Sequence, residues 1–188
     1  VPAAAWRRPV DGWSLDGIEV ALAQQPLRVV VGMLLADSPI PMILGTTEDP
    51  AVSDVIAKMI VDIDGGITDE LLELIADGIA EAYFARPRWQ AAVLWRRAIE
   101  AWPDIDGELT GRGVDIMELP PDRATNVVFH LLMARVAEDK NARAALVSEL
   151  QAAPAAVQTR SMKRAKDAER QQADWDAVAA LAAAAQGT

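Results

Sequence analysis

The sequence predicts an all-α fold: an irregular multi-helix bundle of about six to eight helices, with an extended N-terminal arm and a C-terminal helical appendage. Three observations predict it. Apolar residues fill 52% of the 188 positions while aromatics supply only 5%, so alanine provides much of the apolar count. Alanine favours helix but buries little area, which leaves Leu, Ile, Val, Met and Trp to form the core. Large apolar residues recur at helical spacing in segment after segment, and Pro, Asp or Thr repeatedly stands where such a segment begins. The chain is long enough to bury a sizeable core, and it divides into an arm (1–15), a helical domain (16–153) and a charged, Ala-rich helical tail (154–188).

The arm holds Pro2, Pro9 and Gly12 and reads as extended. Asp16 and Glu19 have the spacing of a capping box, so a first helix is expected from Asp16 towards Gln25. Pro26 suits the first turn of a second helix. Within Arg28–Leu35 the β-branched run fits either a buried strand or a helix, and periodicity alone does not decide between them. Helix is the expectation because the flanking segments are helical and no partner strand is evident. Ser38–Thr47 reads as an apolar connector. Asp49-Pro50 caps and opens a helix over Ala51–Val61, and Asp64-Gly65-Gly66 ends it.

Thr68 caps the next helix, whose positive end Asp69 and Glu70 favour and whose stripe is Leu71, Leu72, Ile75, Ile79 and Ala82. Pro87 opens a helix from Arg88 to Trp102. Ala91, Ala92, Trp95, Ala98, Ile99 and Trp102 line one side of it, and Pro103 is expected to stop it. From there to Met117 a loop is expected, with at most a short helix. Pro120-Pro121 precedes a helix over Asp122–Glu138, and another runs from Asn141 to Ala152. Beyond Pro154 the composition shifts: five basic and four acidic residues give the tail a charge of +1, which leaves −11 for the rest of a chain whose total is −10.

These totals exclude several function classes. The chain contains no cysteine and one histidine, so thiol nucleophiles, thiolate metal sites and His-rich metal sites are ruled out. An acidic surface repels phosphate backbones and anionic membranes, so neither nucleic acid nor membrane is an expected partner. The most apolar stretch, Leu27–Leu44, is interrupted by Arg28, Asp37, Pro39 and Pro41 and is no membrane span. The first residues lack the apolar segment of a signal peptide, so the cytoplasm is the expected location. His130 lies among apolar neighbours with no nucleophile beside it in sequence, and is expected to be a buried or half-buried residue satisfied by one hydrogen bond. No Ser-centred elbow, Walker loop or dinucleotide fingerprint occurs, so no cofactor and no catalytic residue is expected.

Asp-Ile-Asp-Gly occurs twice, at Asp62–Gly65 and Asp104–Gly107. Alternate carboxylates suit a hard cation, and Glu73 falls where a twelfth-position ligand of a calcium loop would sit. The sixth position, however, is Ile67 in one copy and Leu109 in the other, where the calcium loop needs glycine. Capping and turn chemistry therefore accounts better for both copies. Apolar surface available to partners is a more productive search. In the tail Trp175, Val178 and Leu181 recur at helical spacing and are candidate anchors for a groove in a partner. A solvated, frayed helix is an equal reading of the same residues. Trp89, Ile40 and Met42 complete the candidate partner-binding set, Trp89 because tryptophan is enriched at interface hot spots, the other two because they sit in the apolar connector.

Arg88-Trp89, Leu94-Trp95-Arg96-Arg97, Trp102, Ile105-Asp106-Gly107 and Leu119-Pro120-Pro121-Asp122-Arg123 together resemble tail assembly proteins of tailed phages that infect actinobacteria, over the span from Asp69 to Leu150. The resemblance implies a helical chaperone of tail morphogenesis, not an enzyme, that binds tape-measure and tail-tube proteins in the host cytoplasm. That family often has a C-terminally extended form made by ribosomal frameshifting, and a charged tail after Pro154 is compatible with this organisation. A structural virion component, such as a connector or capsid-associated protein, is a neighbouring alternative. A metal-binding protein using the two Asp-Ile-Asp-Gly loops is a second alternative, and self-association into a homo-oligomer accompanies either phage reading.

Overall fold

The computed structural model describes residues 12–62 and 67–186, and for residues 164 and 173–186 the backbone alone. Its first element is a hairpin, not the helix expected from Asp16. Strands β1 (Gly12–Leu15) and β2 (Ile18–Ala21) pair antiparallel, with Trp13 opposite Val20 and Leu15 opposite Ile18. The capping-box spacing of Asp16 and Glu19 is overridden by turn chemistry. Asp16 (φ 48°) and Gly17 (φ 81°) both have positive φ, the geometry of the two-residue turn whose twist matches that of paired strands. Leu15 and Val20 are buried while Ser14 and Glu19 are exposed, so the hairpin shows one face to the core.

The chain leaving β2 is tied to residues 45–48. Ala23 N–H donates to the Thr46 carbonyl and Glu48 N–H to the Ala21 carbonyl, each at 2.9 Å. The Gln25 side chain donates to the Gly45 carbonyl at 2.9 Å. Helix α1 (Leu27–Leu34) follows Pro26 and buries Leu27, Val30, Val31 and Leu34, an i, i+3, i+4, i+7 set that resolves the helix-or-strand ambiguity in favour of helix. The expected connector contains a short helix, α2 (Ile40–Gly45), with Pro41 in its first turn. The Thr46 and Thr47 hydroxyls donate to the Met42 and Ile43 carbonyls at 2.6 and 2.9 Å, satisfying two of the groups that a helix end leaves orphaned.

Helix α3 (Pro50–Val61) is capped by the Asp49 carboxylate, which accepts from Ala51 N–H at 2.8 Å. Helix α4 (Asp69–Phe84) is capped by the Thr68 hydroxyl and carries Asp69 and Glu70 in its first turn. Its C-terminal corner is Ala85 at φ 52°, a left-handed residue that lets Arg86-Pro87 reverse the chain into α5 (Arg88–Glu100). Pro103 does not end the helical run. It sits in the first turn of α6 (Trp102–Gly111), where its missing N–H would have had no intrahelical partner, so it starts a new helix at once. Met117 belongs to a short 3-10 turn (Ile116–Glu118) capped by Asp115. Helices α7 (Pro121–Arg135) and α8 (Lys140–Gln151) follow, and the Asp139 carboxylate accepts from Asn141 and Ala142 N–H at the start of α8.

Helix α5 organises the core, packing against α1, α4, α6, α7 and α8. Ala91, Ala92, Leu94, Trp95 and Ala98 are buried on it; at 3.6 residues per turn they cover an arc of roughly 160°, wide enough for several neighbours. Its alanines let those helices approach closely, and Trp95, 2% exposed, fills the space between them. Ile99, placed on the buried stripe from sequence, is instead 51% exposed, and Trp102 is half-buried against the core edge. The chain divides into two compact units, one ending at Gln151 and one beginning at Ala152. The second consists largely of one helix, α9 (Ala155–Gln186). Among the described residues no helix is long and apolar enough to cross a membrane.

Candidate functional site

Of the partner-binding residues nominated from sequence, Met42, Ile40 and Trp89 lie in the first compact unit of the chain and Trp175, Val178 and Leu181 in the second. Met42 is fully buried, so it is a core residue and presents nothing to a partner. It became buried because the connector coils into α2 and turns that side chain inward. Ile40 is half-buried against the same core, and Trp89, at the start of α5, is half-buried. For Trp175, Val178 and Leu181 the backbone is helical, and their side chains lie outside the described residues. His130 is exposed rather than buried: it occupies the outer face of α7, whose inner face is Ala124, Thr125, Val128, Leu131 and Leu132.

The second Asp-Ile-Asp-Gly copy is helical, within α6. Asp104 and Asp106 therefore project about 200° apart around the helix and cannot close on one cation. The first copy lies, apart from Asp62, outside the described residues. Among the described residues no three His, Asp or Glu side chains come together as a metal cage.

What sequence reasoning missed is a groove of ≈ 450 Å³ between α5, α7 and α8. Its floor and walls are apolar: Leu132 and Val136 from α7 and its C-cap, Ala142, Ala145 and Leu146 from α8. Its rim is charged, with Arg97 and Glu100 from α5, Arg135 from α7 and Glu149 from α8. Arg97 and Glu149 form an ion pair at 2.9 Å across the α5–α8 edge, with side chains 52% and 39% exposed, so this pair sets rim geometry and adds little stability. Hydrogen bonds on either side of the groove join its helices. Gln90 of α5 donates to the Leu150 carbonyl at 2.8 Å, occupying an orphan carbonyl at the end of α8. Trp95 Nε1–H donates to Thr125 Oγ1 at 3.0 Å, and that hydroxyl donates to the Pro121 carbonyl at 2.7 Å, locking α5 to the first turn of α7.

A second polar cluster fixes the α4–α5 corner on α7. The Arg86 guanidinium lies 4.7 Å from the centre of the Phe129 ring and donates to Gln90 Oε1 at 3.3 Å and Asn126 Oδ1 at 3.1 Å. Burial lowers its pKa from the ordinary arginine value. With one cation, two amides and an aromatic face, this cluster is a clamp; it has no acid–base pair with which to do chemistry. Tyr83 anchors the hairpin exit in the same way, its hydroxyl donating to the Ala23 carbonyl, and burial pushes its pKa up to about 12.

The groove combines an apolar floor with a charged rim. Its four ionisable residues are two arginines and two glutamates, without a nucleophile among them. No family model, no curated protein and no solved structure matches the chain.

Proposed function

We propose that this chain is a non-enzymatic binding protein of tailed-phage morphogenesis, a tail assembly chaperone that holds apolar helical segments of tape-measure or tail-tube protein before they assemble. The observation that carries the reading is the apolar groove between α5, α7 and α8 with its charged rim. It is an acceptor for one face of a helix, on a body whose own core is already closed by Trp95 and its neighbours. The phage context rests on the resemblance of the segment from Asp69 to Leu150, which supplies all three walls of this groove. Binding here would be reversible, because the floor is small and the rim is exposed to solvent.

Co-expression with the tape-measure protein of the same phage tests the proposal. The wild-type chain is expected to keep that protein soluble and to co-purify with it. Ala145→Arg, at an exposed position of the groove wall, is expected to fold normally and lose both effects. If the wild type neither solubilises nor retains tape-measure or tail-tube protein, or if Ala145→Arg behaves as wild type, the proposal is wrong. Recovery of the chain at fixed stoichiometry from purified particles would instead make it a structural component of the virion.

A further inference from the structure

The charges of α9 are sorted along its length. Residues 157–166 hold Arg160, Lys163, Arg164 and Lys166 and no acidic residue, a block of +4. Residues 167–176 hold Asp167, Glu169, Asp174 and Asp176 against Arg170, a block of −3. Both blocks lie in one long, bent helix, Ala155–Gln186, which at 1.5 Å per residue measures about 48 Å along its axis. Two copies laid parallel would set +4 against +4 and −3 against −3. Laid antiparallel, each basic block runs beside the other copy's acidic block, and the attraction is gained twice by symmetry.

Two of the apolar residues fit the same arrangement. Twenty-one positions separate Val157 from Val178, three heptads, so both occupy the same place in a 3.5-residue repeat. Their midpoint falls between Asp167 and Ala168, within one residue of the boundary between the charge blocks. An antiparallel pair centred there brings Val157 of each copy level with Val178 of the other, with Trp175 and Leu181 one helical step to either side. The charge blocks set the direction, and the spacing of the two valines is compatible with the same centre.

We propose that α9 is a self-association element, pairing antiparallel with α9 of a second copy of this chain. This goes beyond the groove reading: it concerns another unit of the chain and a different partner, so either can fail alone. Because the apolar seam is thin, electrostatics dominates, and association should weaken by about tenfold or more as salt rises from ~0.05 to ~0.5 M.

Sedimentation of the full chain is the test, with two charge-reversed variants, K163E/R164E/K166E and E169K/D174K/D176K. The wild type is expected to dimerise reversibly, each variant to remain monomeric, and an equimolar mixture of the two to regain the dimer. Far-ultraviolet circular dichroism checks that the variants stay helical. Direction is read by oxidising mixtures of Val157→Cys and Val178→Cys in this cysteine-free chain: antiparallel pairing links 157 to 178, whereas parallel pairing links each position to itself. A monomeric wild type at low salt, dimeric single variants, a mixture that stays monomeric, or self-linked cysteines would each overturn the proposal.

Discussion

At the scale of single residues, the described polar groups that matter most are those that join elements. Buried Trp95 has its indole N–H satisfied by the Thr125 hydroxyl at 3.0 Å. Thr125→Val keeps the shape and removes the acceptor, and is expected to destabilise the body by about 1–3 kcal/mol, the cost of a buried unpaired donor. Chemical denaturation of the variant checks this, and Thr125→Ser should recover most of the loss. Tyr83 gives a pH signature. Its folded pKa is raised from 10.0 to about 12 by burial, so the folded chain holds that proton more tightly than the unfolded chain. The associated stability is fully present below pH 10 and is lost as pH rises through about 12. The stability difference between wild type and Tyr83→Phe is therefore expected to shrink over that window and to stay constant between pH 7 and 9. A difference independent of pH would show that the hydroxyl is not held as described.

At the scale of elements, starts were more legible than types. Asp49, Thr68, Pro87 and Pro121 each stand at a helix start, as expected, because capping and first-turn proline act locally and need no tertiary partner. The same local signals misled wherever two of them competed. Asp16 and Glu19 have capping-box spacing, but Asp16-Gly17 is also a hairpin turn, and the alternation of Trp13, Leu15, Ile18 and Val20 makes the hairpin the state that buries apolar area. Gly17 carries that choice at φ 81°. Gly17→Ala is expected to cost about 1 kcal/mol, from a Cβ in the left-handed region. Melting temperature measures it, with Asp16→Asn, which keeps turn chemistry, as the near-neutral control. Pro103 shows the converse: read as a stop, it is the first turn of α6, because two helices can abut at Ala101 without a loop between them.

At the scale of the whole molecule, the core cluster of the described residues runs from Val20 to Leu150, within the first unit. Truncation after Gln151 is expected to leave the stability of the body within roughly 0.5 kcal/mol of the full chain, measured by denaturant unfolding. A larger loss would mean that residues after 151 belong to the folding unit. The groove could not be found from sequence. Arg97, Leu132 and Leu146 are far apart in the chain, and each looks like an ordinary member of its own helix. A groove is a property of how three helices fail to fill the space between them. The tail differs in this respect, since charge sorting along one helix is a one-dimensional pattern and can be read directly.

By itself, then, the sequence determined the helical class, most helix starts, the burial of Trp95 and the charge blocks of α9, because each depends on local propensity, periodicity or composition. Tertiary structure alone decided that Met42 is core and His130 is surface, that the second Asp-Ile-Asp-Gly copy is helix and not a cation loop, and that an apolar groove remains between α5, α7 and α8. Those outcomes depend on which faces meet, and which face of a helix is covered is set by its neighbours in space and not by its neighbours in the chain.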